Sequence, residues 1–258
     1  GRVNLCHALN TRGGVHSEFT ILREAIDSFY LVSAGAFQRL DHDWIRKWMP
    51  IDGTVQFENI TNSIGVLVLA GPNSRELLSK LFSNTDLSNA GLPFMGYKEA
   101  DLFGVPSRIF RISFSGELAY EINVESSYGV FMWEKIFEFG QEMNIEPYGT
   151  EALSTLRIEM GHVAGSELDG RTTPYELSLD SMLSKKKDFI GKRSLVREAF
   201  ISPNREKIVG VIPLDKKTMI PEGSHLVIDG KAPLPNQKLG HISASCWSVE
   251  YNNPFSLA

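Results

Sequence analysis

The stretch from Lys98 to Val124 limits the possible folds most. It reads as three β-strands in succession, with turns at Gly104–Pro106 and Ser115–Glu117. Elsewhere strands and helices alternate, but without the strict βαβ rhythm of a doubly wound parallel sheet. "SEFTILRE" and "DSFYLVSA" are expected strands joined near Ala25–Asp27. "AFQRLDHDWIRKWMP" spaces Phe37, Leu40, Trp44 and Trp48 as a helix would, and stops at Pro50. "VQFENIT" and "IGVLVLAG" read as strands. "GPNSRELLSKLF" reads as a helix capped by Asn73 or Ser74, with Leu77, Leu78 and Leu81 as its buried stripe. Helices are expected near Tyr128–Met143 and Thr150–Met160, the second with Gly161 just past its end. Asp169 to Ser194 is loop-rich and leads into a short helix near Gly191–Ala199. After "ISPNRE" the pattern changes to "KIVGVIPL", "SHLVID" and "LGHISASCWSV", strands separated by Gly, Pro and Asn turns. The expected class is α+β over residues 1–200, followed by a small β-module over 201–258. "GRVNLCHALN" begins inside what reads as a strand, so the N-terminus is expected to be truncated, with Gly1 a cloning remnant.

Composition removes several function classes. The net charge is -5 and no basic stripe is present, so no nucleic-acid partner is expected. Lys185, Lys186 and Lys187 form the basic cluster in "SKKKDFIGKR", either a solvated loop or a landing site for an anionic tail. Cys6 and Cys246 lie far apart in apolar surroundings, with no CxxC and no His/Cys grouping at metal spacing. They read as buried reduced thiols, and no metal is expected. No apolar run reaches the eighteen residues of a membrane span, and no signal peptide is visible. No GxGxxG follows a strand and no GxxxxGK[ST] occurs, so no flavin or nucleotide site is expected in this chain.

Two carboxylates stand out. In "TRGGVHSEFTI" a Gly-Gly corner precedes a strand on which Glu18 and Thr20 share one face and Phe19 and Ile21 the other. In "AYEINV" Glu121 and Asn123 face away from Tyr120, Ile122 and Val124. Periodicity alone puts both carboxylates on the solvent side of a half-buried strand. In "TEALSTLRIEMG" Arg157 adjoins the apolar stripe of Leu153, Leu156 and Met160, so it is expected in a buried structural ion pair. His162, just after this helix, reads as a surface or cap residue.

Five segments in order, "LNTRGGVHSEFTI", "FSGELAYEINV", "PYGTEALSTLRIEMG", "ELDGRTTPYELSL" and "KKDFIGKRSL", resemble the folate-binding aminomethyltransferase family of the glycine cleavage T-protein. Within it, they resemble the C-terminal folate domains of dimethylglycine dehydrogenase, sarcosine dehydrogenase and the sarcosine oxidase alpha subunit. The resemblance runs along almost the whole chain. It implies a cloverleaf folate-binding domain of mixed sheets and helices, followed by a small C-terminal β-barrel. It implies tetrahydrofolate as cofactor, accepting a one-carbon unit from sarcosine, dimethylglycine or a similar methylamine to give 5,10-methylenetetrahydrofolate. Glu18 matches the catalytic carboxylate near the reacting folate nitrogens, which is Asp in many members. Glu121 matches the carboxylate that holds the pterin ring. Phe114, at a position that is usually Tyr, and Tyr120 become cleft aromatics. Asp169 and "RTTPYE" match an architectural loop, with Glu176 pairing inward. The resemblance also implies a flavin-containing partner domain or subunit, and a cytoplasmic or mitochondrial-matrix setting.

The chemistry suits these residue types. A pterin edge presents an N–H beside an amino group, and one carboxylate accepts both, fixing orientation. A carboxylate near the folate nitrogens can take a proton or stabilise an iminium cation. Positioning two bound reactants supplies the rest. Three positions depart from the T-protein pattern: Glu18 for Asp, Leu153 for an Arg, and Ala34 for an Asn. A non-catalytic relative acting by protein binding, like the regulatory subunit of pyruvate dehydrogenase phosphatase, fits those changes. So does a folate-dependent demethylase of sulfonium or aryl ether substrates.

Overall fold

The computed structural model describes residues 2–231 and 237–258; Gly1 lies outside them. The chain forms two compact units. One takes the residues through Leu5 and Phe19–Tyr148, the other Cys6–Glu18 and Gly149–Ala258. Strands β1 (Val3–Leu9) and β2 (Val15–Arg23) each supply one end to either unit.

In the first unit, β2 pairs antiparallel with β3 (Phe29–Ser33) across the expected turn, in a sheet of order β1-β2-β3. Helix α1 (Gln38–Trp48) follows. Next come β4 (Ile64–Ala70), α2 (Ser74–Leu81), β5 (Tyr97–Leu102), β6 (Val105–Phe110), β7 (Ala119–Glu125) and α3 (Gly129–Gly140). The four strands form an antiparallel sheet of order β4-β7-β6-β5. Phe103 and Gly104 have φ of 51° and 87°, as a two-residue hairpin turn requires. The turn therefore precedes Pro106, which sits in β6 ahead of the register with β7 that starts at Ser107, so its missing N–H costs no bond to β7.

Leu77, Leu78 and Leu81 of α2 are buried, as their spacing predicts, with Met132 and Ile136 of α3 and Tyr120, Ile122 and Val124 of β7. Neither Asn73 nor Ser74 caps α2 by side chain; the Ser74 hydroxyl donates to the Leu118 carbonyl instead. A second cluster joins Val3, Leu22, Tyr30 and Phe110. The expected strand in "VQFENIT" is irregular: its apolar Ile60 packs on that cluster without pairing to a strand. Helix α1 buries Asp41, while Leu40 and Trp48 of its apolar stripe stay exposed.

The second unit holds α4 (Thr150–Glu159), then single-turn helices α5 (Lys192–Leu195) and α6 (Glu198–Ile201). Gly161 follows α4 with φ of 69°, the left-handed conformation that ends a helix. Short strands close the chain: β8 (Gly210–Val211), β9 (His225–Val227), β10 (Lys238–His241), β11 (Ala244–Ser248) and β12 (Asn253–Leu257). They correct the expected C-terminal β-barrel. β11-β12-β8 form one sheet and β10-β9 another, and among the described residues neither closes. Strands of two to five residues lack the length for the tilt and stagger that closure needs, and the β9–β10 register shifts between Lys238 and Gly240. Ile158 of α4 packs with Ala244, Cys246 and Leu257; Leu9, Val15, Val163, Leu177 and Leu195 form a second core. Among the described residues no helix is long and apolar enough to cross a membrane.

Candidate functional site

In the second unit the Gly-Gly corner is dictated by crowding. Gly13 has φ of 89°, and a Cβ there would lie 2.9 Å from Leu195 Cδ2. A Cβ on Gly14 would fall 2.1 Å from the Gly170 carbonyl oxygen. Asn10 ties the corner: its Oδ1 accepts from the N–H of Arg12 and Gly14, and its Nδ2 donates to the Gly170 oxygen. Val15 then exchanges backbone bonds with the following loop, its N–H donating to Thr172 O and its carbonyl accepting from Gly170 N–H. That loop is built around Asp169, which accepts from the backbone N–H of Arg171 and Thr172, and Glu176, which accepts from Thr173 and pairs with Arg205. The start of β2 is thus fixed on both sides, and Glu18 lies three residues beyond Val15.

Glu18 does not face open solvent. Its Oε2 lies 3.0 Å from His7 Nε2 on β1, and its Oε1 3.3 Å from His162 Nε2 after α4. Its side chain is 20% exposed, against 7% for His7 and 24% for His162. Burial by itself pushes the Glu18 carboxyl up; the contacts from His162 and His7 outweigh it and hold the group at about 2. Glu18 is therefore a fixed anion near neutral pH. Among the described residues no group of three or more His, Cys, Asp or Glu side chains could hold a metal ion.

The sequence reading of His162 as a surface or cap residue missed this contact, and it passed over His7. No local pattern carries the pairing, since His162 and Glu18 are 144 residues apart. Arg157 does form the expected buried ion pair, 3.0 Å from Glu167 Oε2, and the same oxygen accepts the Ala164 N–H.

In the first unit Glu121 projects from β7 opposite Val68 of β4 and Phe110 of β6. Its Oε2 is sealed from water and has no hydrogen-bond partner among the described residues. Burial pushes this carboxyl up to about 7. Nearby, the Tyr30 hydroxyl donates to Asn123 Oδ1, and Arg108 lies 4.8 Å over the Tyr30 ring while pairing with Glu24 at 2.8 Å. A buried carboxylate oxygen without a donor is costly, and a ligand edge offering N–H groups would supply what it lacks. That is the chemistry of a pterin edge, so the residue fits the group.

Phe114 is about one-third exposed on the segment before β7. Tyr120 is 0% exposed in the core on the other face of β7 from Glu121, and its hydroxyl accepts from Arg75 Nε at 2.8 Å. A cavity of about 190 Å³ opens between Tyr30, Asp41, Phe57 and Val66; Glu121 is not in its lining. It is smaller than the several hundred Å³ a cofactor-sized ligand fills.

The GCVT N-terminal domain family matches residues 1–187. Sarcosine oxidase subunit alpha of Rhizobium meliloti (strain 1021) is 36% identical over 258 residues, 97% of this chain and 26% of that protein. Mitochondrial dimethylglycine dehydrogenase of Mus musculus is 36% identical over 199 residues, 76% of this chain and 23% of that protein. The chain thus spans about a quarter of the length of these relatives. The solved structure of the glycine cleavage system aminomethyltransferase T from Bartonella henselae superposes with a TM-score of 0.80. It is 21% identical, covering 100% of this chain and 67% of that one, and shows a shared fold.

Proposed function

The chain belongs to the GCVT aminomethyltransferase family, and on that premise we propose that it is a tetrahydrofolate-dependent one-carbon acceptor. The carbon would come from sarcosine, dimethylglycine or a similar methylamine and leave as 5,10-methylenetetrahydrofolate. Glu121 takes the two N–H groups of the pterin edge. Glu18 stands at the reacting nitrogens and stabilises the cationic donor. Phe114 lies against the ring, and Tyr120 braces the strand that carries Glu121. Residues 1–200 are the folate-binding portion, and a flavin-containing partner domain or subunit oxidises the amine. The iminium so made hydrolyses readily, so it must reach the folate without meeting bulk water.

The observation that carries this reading is the sealed, unpartnered Glu121 oxygen. Calorimetry with tetrahydrofolate tests it. Hydrogen bonds to a charged acceptor contribute about 1.5–3 kcal/mol, so Glu121→Ala should weaken binding about 10–150-fold. Since only the ionised carboxylate accepts both donors, and its pKa is about 7, affinity should rise between pH 6 and pH 8 and then level. No heat from the unaltered chain would end the proposal.

A second reading, a non-catalytic relative, draws on Leu153 and Ala34 at positions where the T-protein has Arg and Asn. It predicts no methylenetetrahydrofolate from tetrahydrofolate supplied with formaldehyde and methylamine, beyond the uncatalysed rate.

A further inference from the structure

A second carboxyl in the first unit is buried without a partner. Asp41, in the first turn of α1, is 2% exposed. Both of its oxygens are shut off from bulk water, and neither has a hydrogen-bond partner among the described residues. The adjacent His42 is turned elsewhere: its Nδ1 lies 3.5 Å from Asp43 Oδ1, and its ring packs on Phe57 with centroids 5.3 Å apart. Burying a carboxylate is costly unless it is paired and hydrogen-bonded. Here the chain supplies neither, so the missing donor has to come from outside it.

Asp41 belongs to the wall of the cavity of about 190 Å³ between β3, α1, the 57–61 segment and β4, all within the first unit. Much of that wall is apolar or aromatic, with Phe19, Tyr30, Ile45, Phe57 and Val66 in it. It holds a second acidic residue, Glu58, and among the described residues no Lys or Arg. A cavity of about 150 Å³ holds benzene, so this one admits about six to eight non-hydrogen atoms. A hard metal ion takes about six oxygen ligands. Among the described residues no group of three or more His, Cys, Asp or Glu side chains could hold one. An organic ammonium ion asks for less. Its N–H groups need one carboxylate, and its alkyl groups need aliphatic and aromatic carbon.

We propose that this cavity is a binding site for a small organic ammonium ion, anchored by Asp41. The ammonium N–H groups donate to the Asp41 oxygens, and the alkyl groups pack against Tyr30, Phe57 and Val66. The site stands apart from the folate reading: it is too small for a pterin-bearing cofactor, and Glu121 does not line it. Its selectivity follows from charge. With no Lys or Arg in the wall, a carboxylate on the ligand finds no cation there, and Asp41 and Glu58 repel it. The cavity therefore takes simple methylamines as their ammonium ions and rejects N-methyl amino acids.

Dimethylammonium chloride titrated into the unaltered chain tests this, with sodium chloride at equal concentration as the control. The backbone amide ¹H and ¹⁵N shifts of Asp41, His42 and Asn59 report on the cavity. A ligand of so few atoms is held with a dissociation constant on the order of 1 mM or weaker, and its shifts should saturate. Asp41→Asn keeps the shape and removes the charge, and should weaken binding about 10–150-fold. Sarcosine carries a methylammonium group and adds a carboxylate, so it should bind at least about tenfold more weakly than dimethylammonium. Four results overturn the inference: no saturable shift, equal shifts from sodium chloride, binding retained in Asp41→Asn, or sarcosine bound as tightly as dimethylammonium. Should Asp41→Asn fail to fold, Val66→Phe puts bulk into the cavity and spares the carboxylate. Weaker binding in that variant supports the site, and unchanged binding overturns it.

Discussion

Glu18 and Glu121 carry the same side chain in opposite environments. The first lies within 3.3 Å of two imidazoles, which hold it ionised; the second is pushed toward its neutral form by burial alone. Their effects on stability have opposite signs. Glu121 moves from 4.5 to about 7 on folding, so the folded chain keeps a proton that the unfolded chain gives up. Its contribution is full below pH 4.5 and is lost as pH rises through about 7, by up to about 3 kcal/mol. Glu121→Gln should therefore stabilise the chain at pH 8 and change little at pH 4, as urea denaturation at the two pH values would show. Glu18 moves from 4.5 down to about 2. Its contribution is present above pH 4.5 and lost as pH falls toward 2, again by up to about 3 kcal/mol. Glu18→Gln should flatten that acid limb; an unchanged limb would show that the two imidazoles do not hold the carboxylate.

At the scale of elements, Gly14→Ala should be among the more damaging single-methyl additions in this chain. The new Cβ would sit 2.1 Å from the Gly170 oxygen, so backbone on one side must move. A cost of about 1–3 kcal/mol is expected for overpacking of this kind. The exchange of bonds between Val15 and the Gly170–Thr172 segment should open first, read as faster amide exchange at Val15 and Gly170. Leu78→Ala should cost about 2–5 kcal/mol, since Leu78 is 0% exposed in the α2–α3 core. Both elements were legible in the sequence for local reasons. The α2 stripe repeats at helical spacing, and a Gly-Gly pair before an alternating run marks a corner. That the C-terminal strands stay as separate open sheets was not, because alternation in "KIVGVIPL" signals strand character without fixing how many residues pair; the strand itself is only Gly210–Val211. Nor were the partners of Glu18. Strand periodicity put Glu18 toward solvent, and the histidines that cover it come from β1 and from the end of α4. Arg157 was legible because a charge beside an apolar helical stripe needs a counter-ion wherever it is buried.

For the whole molecule, ligand binding and folding are linked by mass action, which separates a lost site from a damaged fold. Tetrahydrofolate at about 100 times its dissociation constant should stabilise the chain by about 2.7 kcal/mol. In a chain of this size that raises the melting temperature by about 5–10 °C. With the affinity of Glu121→Ala reduced about 10–150-fold, the same concentration leaves only about 0.3–1.4 kcal/mol. The ligand-free variant should nevertheless melt no lower than the unaltered chain at pH 8, because a buried carboxylate without a donor on Oε2 has been removed. A protein that keeps such a group against its own stability is expected to use it at a binding site. Thermal scans of both chains with and without tetrahydrofolate give the four numbers needed. If Glu121→Ala melts lower without ligand yet gains the full increment with it, Glu121 is a packing residue and the pterin edge is held elsewhere.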